Sequence, residues 1–249
     1  MTVIEKTKPI PSKKPKPLNA PANAAPPQPG PEPSAQRISR DRRSRENTRQ
    51  KLIDAALRVM GKKGVDATTI SDITDAADVG IGSFYNHFSS KSEIVECVFT
   101  LRLEEMGVVV DAISSRESDP AVAITYIHKM FYERAASDTV WAWFVVHVAN
   151  STPFWDRGFM SRASEDVARG AKEGRFVFSS VEAAARICMS TVLSTMRSIL
   201  EGTVTPKVAN EIVESTLCML GVPKDDARTL SQRKLPKYIM TLFDNFQKS

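Results

Sequence analysis

From Asp78 to Glu93 the chain reads DVGIGSFYNHFSSKSE: two glycines, then Phe84, Tyr85, His87 and Phe88, with Lys91 close behind. Three kinds of chemistry use residues like these. A glycine loop that cradles phosphate needs GxGxxG after a strand. Here Tyr85 stands where the third glycine belongs and the preceding pattern is helical, which excludes that reading. Metal binding needs ligands at short spacing. His87, His128 and His147 form no HxxxH, and Cys97, Cys188 and Cys218 form no CxxC, so no metal site is expected. The three cysteines read as small buried hydrophobes in a reducing compartment, and His128 and His147 as satisfied core or surface histidines. No nucleophile–base pair or paired carboxylate stands out, so neither an enzyme nor a cofactor is expected. Contact with another macromolecule remains. If Val79, Phe84 and Phe88 anchor a short helix, then Ile81, Gly82, Ser83, Tyr85 and His87 face outward. Gly82 lets the backbone come close to a target, while hydroxyls, the helix N-terminus and Lys91 can hold phosphates. Such a helix suits a DNA major groove.

The flanking elements must hold that helix still. Leu52, Ile53, Ala56, Leu57, Val59 and Met60 recur at helical spacing, and Gly61 or Gly64 closes the run. Thr69-Ile70-Ser71-Asp72 has the form of a capping box. The helix it opens turns Ile70, Ile73, Ala76 and Ala77 inward until Asp78-Val79-Gly80 breaks it. A short third helix follows, roughly Ile81 to Asn86. Ser90-Lys91-Ser92-Glu93 reads as another capping box, starting a fourth helix that runs to about Ser115.

Taken together, TRQKLIDAALRVMGKKGVDATTISDITDAADVGIGSFYNHFSSKSEIV strongly resembles the DNA-binding domain of the TetR (tetracycline-repressor-like) family, from about Thr48 to Val95. The likeness rests on an R-x-x-[IL]-x-x-A-A helix, an x-G-x-x-A-T-[TV]-x-x-I segment and a V-x-x-G-[ST]-[FL]-Y-x-[HY]-F-x-[SN]-K core. The resemblance implies DNA contacts at Thr69, Ser71, Ile81, Gly82, Ser83, Tyr85, His87 and Lys91. Two departures stand out. Gly80 replaces a frequent capping serine, and the recognition helix carries no Lys or Arg, so it offers no arginine-to-guanine readout.

Charge is unevenly placed. Residues 1–46 hold ten Lys/Arg against Glu5, Glu32, Asp41 and Glu46, and ten of the fifteen prolines precede residue 34. Such a segment buries too little apolar surface to offset its ordering entropy, so 1–46 is expected to be a disordered basic tail. Over 47–100, Arg49, Lys51, Arg58, Lys62, Lys63 and Lys91 face seven acids. A DNA-binding unit near charge balance lacks electrostatic surplus. The cluster Arg37, Arg40, Arg42, Arg43 and Arg45 is therefore the expected accessory arm on DNA.

The rest of the chain, 101–249, is helical by punctuation. Asp119-Pro120, Thr152-Pro153 and Thr205-Pro206 each place an N-cap before a first-turn proline. Ser179-Ser180-Val181-Glu182 reads as a third capping box. The segments 120–136, 139–150, 153–173, 180–202, 206–221 and 233–247 each suit one helix. The expected fold is all-α: a three-helix helix-turn-helix domain over 47–100, then a helical effector-binding and dimerisation domain.

An aromatic patch of Tyr126, Phe131, Tyr132, Trp141, Trp143, Phe144, Phe154 and Trp155 lies in this half. The resemblance implies an effector pocket here, and Tyr126, Phe131, Trp141, Phe144 and His147 are the lining candidates. Trp141 and Trp143 cannot share one helical face. Helices 180–202 and 206–221 are apolar on more than one side, through Ala184, Ile187, Val192, Met196, Ile199, Ile212, Val213, Leu217 and Leu220. That pattern, with the resemblance, implies a homodimer.

No apolar run approaches the roughly 20 residues of a membrane span, and the start MTVIEKTKPIPSKKPKP has no hydrophobic segment. A cytoplasmic protein without membrane contact is expected. The leading expectation is a transcriptional regulator, a repressor, that binds a palindromic operator in double-stranded DNA as a dimer and is released by a small apolar or aromatic effector. The alternative is a TetR-like architectural or division-linked DNA binder without a small ligand.

Overall fold

The computed structural model describes residues 35–151 and 154–246. The expected disorder of residues 1–34, the Thr152-Pro153 cap and the side chains of Arg37, Phe154 and Trp155 lie outside the described residues. The chain divides at Asp41 into two units. Of the first, only the opening turns of helix α1 are described.

Helix α1 spans Ala35–Lys63, so it begins twelve residues before the expected start at Asn47. The expected tail boundary at residue 46 is therefore too late. No proline lies between Pro33 and the end of α1, and Ala, Gln and Arg cost little in a helix. Extending a helix already anchored by buried Leu52, Ile53, Ala56 and Met60 adds one hydrogen bond per residue fixed. Gly64, at φ 82°, ends it by taking the left-handed conformation that a Cβ disfavours.

Three helices follow: α2 (Ile70–Ala77), α3 (Ile81–Tyr85) and α4 (Lys91–Arg116). The capping box before α2 is complete. The Thr69 hydroxyl accepts from the Asp72 amide, and the Asp72 carboxylate accepts from the Thr69 amide. At α4 the Ser90 hydroxyl caps the Glu93 amide, but Glu93 reaches one residue further back, to the amide and hydroxyl of Ser89. Half of that expected box is thus shifted upstream.

The remaining helices are α5 (Pro120–Ser137), α6 (Thr139–Ser151), α7 (Phe154–Lys172), α8 (Val181–Leu200), α9 (Pro206–Met219), α10 (Lys224–Ser231) and α11 (Lys237–Phe246). Ser180, not Ser179, caps α8, and Glu182 pairs with Arg186 in place of closing a box. Helix α10 has no expected counterpart. It is short, starts after Pro223 without a side-chain cap, and is held by burial of Ala227 and Leu230.

Helix α5 is the axis of this half, packed against α4, α6, α7, α8, α9 and α10. Every residue from Pro120 to Tyr132 is buried, which explains why its pattern shows no polar face. No described helix is long and apolar enough to cross a membrane. Cys188 is buried and Cys97 half-buried, but Cys218 is exposed, contrary to the expectation that all three pack inward.

Candidate nucleic-acid interface and effector cavity

Phe84 and Phe88 are fully buried against the apolar face of α1 and α2, their ring centroids 5.7 Å apart. Their burial sets the rotation of α3. Ile81 and Tyr85 are consequently left 55% and 56% exposed, large apolar surfaces held outward at the start and end of a five-residue helix. Gly82 is exposed between them, while Ser83 and His87 are half-buried. Burial, and then the guanidiniums of Arg45 and Arg49, hold the His87 imidazole below its ordinary range, which favours its neutral form.

A Cβ built on Gly82 or on Gly80 meets nothing within 4 Å, and neither glycine has a positive φ. The fold itself therefore places no demand for glycine at either position. Gly80 offers no side-chain cap to α3, as its type dictates.

The cationic surroundings are rearranged relative to expectation. The Arg45 guanidinium donates to the Asn86 carbonyl at 3.2 Å, so one arm residue sits at the C-terminal end of a recognition helix that has no cation of its own. Arg40, Arg42 and Arg43 are exposed. Arg49 turns inward, over the Phe88 ring at 5.2 Å and towards Cys97 Sγ at 3.1 Å. Lys91 is not a free cation either. Its Nζ donates to Thr68, Val65 and Asp66 carbonyls at 2.9, 3.1 and 3.2 Å, which uses all three of its protons. It ties the α1–α2 loop to the start of α4. Thr69 is likewise committed to its capping box, whereas Ser71 presents an exposed hydroxyl.

In the C-terminal half, a cavity of about 30 Å³ lies between α4, α5, α7 and α8. Of the five candidate lining residues, Phe131 alone borders it, in edge contact with Phe159 at 5.7 Å. Trp141 stacks behind Phe131 at 6.2 Å, and Phe144 and Tyr126 are buried elsewhere in the core. His147 stacks on half-buried Trp143 in a separate groove beside Gly61 and Arg197. One of the lining residues not expected there is His128, 2% exposed. Its Nδ1 lies 2.9 Å from the Ile124 carbonyl and must carry the proton there, leaving Nε2 a bare acceptor without a partner among the described residues. Burial pushes its pKa down to about 4. It is a half-satisfied histidine, and the expectation of a satisfied one does not hold. Spacing could not reveal this, because the acceptor faces α8, sixty residues away in sequence.

Helix α7 walls the cavity and is fastened to α4. Arg162 forms a two-pronged pair with Asp111 at 2.8 and 3.1 Å, and Ser114 donates to buried Asp166 at 2.8 Å. No group of three or more metal-ligating side chains occurs among the described residues.

Residues 52–98 match the family described as bacterial regulatory proteins, tetR family, and residues 119–233 match the tetracyclin repressor-like C-terminal domain. The chain belongs to the TetR family. Among curated relatives, the HTH-type transcriptional repressor KstR2 of Rhodococcus jostii is 31% identical over 90 residues, 34% of this chain and 44% of that protein. The HTH-type transcriptional regulator TtgR of Pseudomonas putida is 38% identical over 61 residues, 24% of this chain and 29% of its own. The chain spans less than half of the length of these two relatives. Among solved structures, RolR in complex with resorcinol has a TM-score of 0.61 at 26% identity, covering 78% of this chain and 98% of RolR. The matched N-terminal segment contains α2 and α3, and α4, which follows them, reaches the cavity through Val110.

Proposed function

We propose that this TetR-family chain is a DNA-binding transcriptional repressor. It grips a palindromic operator as a homodimer and releases it when a small apolar or aromatic effector occupies the α4–α5–α7–α8 cavity. The observation that carries the DNA reading is Gly82. It sits exposed between outward-facing Ile81 and Tyr85, and nothing in the protomer requires it to be glycine. Close approach of a helix N-terminus to a phosphate backbone does require a small residue there. Gly82→Leu tests this. The substitution should leave stability unchanged or slightly raised, since leucine is the better helix former, while abolishing binding to duplexes selected by the wild type. Retained affinity would end the reading.

The dimer reading rests on α8 and α9. Val192, Met196, Val213, Leu217 and Leu220 are consumed by the protomer's own core. The outward face keeps Ile187, 45% exposed, and Val208, 39% exposed, with Ser190, Ser194 and half-buried Ile212 between them. Small side chains beside isolated apolar ones let two helix pairs approach closely, and two-fold symmetry then presents two copies of α3 to one duplex.

Release follows from mechanics. An effector larger than the cavity must push its walls apart, and α7 carries α4 with it through Arg162–Asp111 and Ser114–Asp166. Only five residues separate α3 from α4, so displacement of α4 changes the separation of the two recognition helices. RolR, solved with resorcinol, supports a small aromatic as the effector class.

A further inference from the structure

The cavity holds one polar feature that its apolar walls leave unexplained. His128 is buried to 98% of its surface on α5, and its Nε2 has no donor from the described residues. The backbone of Cys188 lies on that side of the ring, but as a carbonyl, an acceptor like Nε2 itself. The hydroxyl of Thr191 donates to that same carbonyl and is spent. An unmatched buried acceptor is costly in a medium without water. The two charged side chains at the cavity edge are already engaged: Asp166 accepts from the Ser114 hydroxyl, and the Arg162 guanidinium donates to Asp111. The polar demand of this chamber is for a donor.

The walls specify the rest. Phe131 and Phe159 pack edge to face on each other and both border the cavity, so together they present an aromatic wall on which a flat ring can pack. Met189, an adaptable side chain, lines the same space and can give way. At about 30 Å³ the cavity must swell before a ring enters, since roughly 150 Å³ is the size of an engineered cavity that takes benzene. Swelling is what exposes Nε2 to the ligand.

Resting on the effector reading above, we infer that the effector is a neutral phenol-type molecule: an aromatic ring packed against Phe131 and Phe159, with its hydroxyl donating to Nε2 of His128. The hydroxyl satisfies the orphaned acceptor, so it discriminates the ligand from an apolar ring of the same shape. A methyl ether of that ring has no donor and gains nothing over the hydrocarbon.

The test uses the full chain and three probes of similar size: phenol, anisole and toluene. Binding is read by calorimetry and by fluorescence of Trp141, which stacks on Phe131. Phenol should bind on the order of tenfold more tightly than toluene or anisole. In His128→Leu, phenol should fall to the level of toluene, with toluene itself unchanged or improved. Equal affinities of phenol and anisole for the wild type overturn the hydrogen bond, and need no variant that folds. A phenol preference that survives in His128→Leu overturns the assignment to His128. If toluene binds and releases DNA as well as phenol does, the effector cavity stands and this inference fails. If no probe binds, the effector reading of this cavity fails with it.

Discussion

Lys91→Ala separates an anchoring role from a DNA-contact role, because the two move different observables. The ammonium spends its three protons on the Val65, Asp66 and Thr68 carbonyls, pinning the turn that delivers Thr69 to the start of α2. Hydrogen bonds to a charged group contribute about 1.5–3 kcal/mol each. The bond to Asp66 is exposed and its carbonyl regains water, whereas those to Val65 and Thr68 are part-buried and lose a donor. The net destabilisation should be about 2–4 kcal/mol. With about 2–4 °C per kcal/mol for a chain of this size, the DNA-binding unit should melt about 5–15 °C lower. The assay is a circular-dichroism melt beside a salt titration of DNA binding. At a temperature where the variant is folded, the slope of log K against log salt should match the wild type. An unchanged melting temperature with a slope shallower by about one unit would refute the anchoring role and restore Lys91 as a phosphate contact.

Tyr85→Ala should weaken operator binding at least tenfold while leaving the melting temperature within error, because the ring is 56% exposed and held outward; a gel shift and a melt on the same preparation decide it. Ile187→Glu should give a folded monomer in sedimentation, whereas Leu217→Glu should fail to fold, since Leu217 is fully buried within the protomer; a folded, dimeric Ile187→Glu would remove α8 from the interface. Replacing Arg40, Arg42 and Arg43 together by alanine should lower affinity for operator and scrambled duplex alike and flatten the salt slope by up to about three units; superimposable curves would retire the arm. The Asp72 carboxyl is held down to about 2 by its hydrogen bonds to Lys63 and Thr69. A depressed carboxylate contributes stability that is full above its unfolded value of 3.8 and lost as pH falls through about 2. Asp72→Asn should therefore be less stable at neutral pH and show a flatter acid limb between those values in melts from pH 5 to 2.

Much of the architecture was legible because it is local. Thr69 and Asp72 lie three residues apart and cap one turn whatever surrounds them, and Asp119-Pro120 and Thr205-Pro206 open helices for the same reason. Phe84 and Phe88 are the large apolar residues of this stretch that the sequence assigns inward, and their burial leaves Ile81, Gly82 and Tyr85 outward as expected. The start of α1 escapes the sequence because composition near a proline-rich stretch says nothing of a helix growing back from a buried nucleus that begins at Leu52.

What only the tertiary structure decided are the choices among chemically equivalent partners far apart in the chain. A lysine at a helix start can face phosphate or a neighbouring loop, and folding back of Val65–Thr68 settled it for Lys91. A leucine on a helix apolar on two sides can face core or partner; the packing of α9 on α10 and α5 turned Leu217 inward, and that of α8 on α5, α6 and α7 left Ile187 outside. An aromatic-rich segment can make core or cavity, and which of its rings borders space depends on how four helices cross. His128 carries this furthest. Its sequence neighbours satisfy one ring nitrogen through the i−4 carbonyl of Ile124, while the other depends on what α8 brings, and α8 brings a carbonyl. Local hydrogen bonding is encoded residue by residue; the complementarity of distant surfaces exists only once the chain has folded.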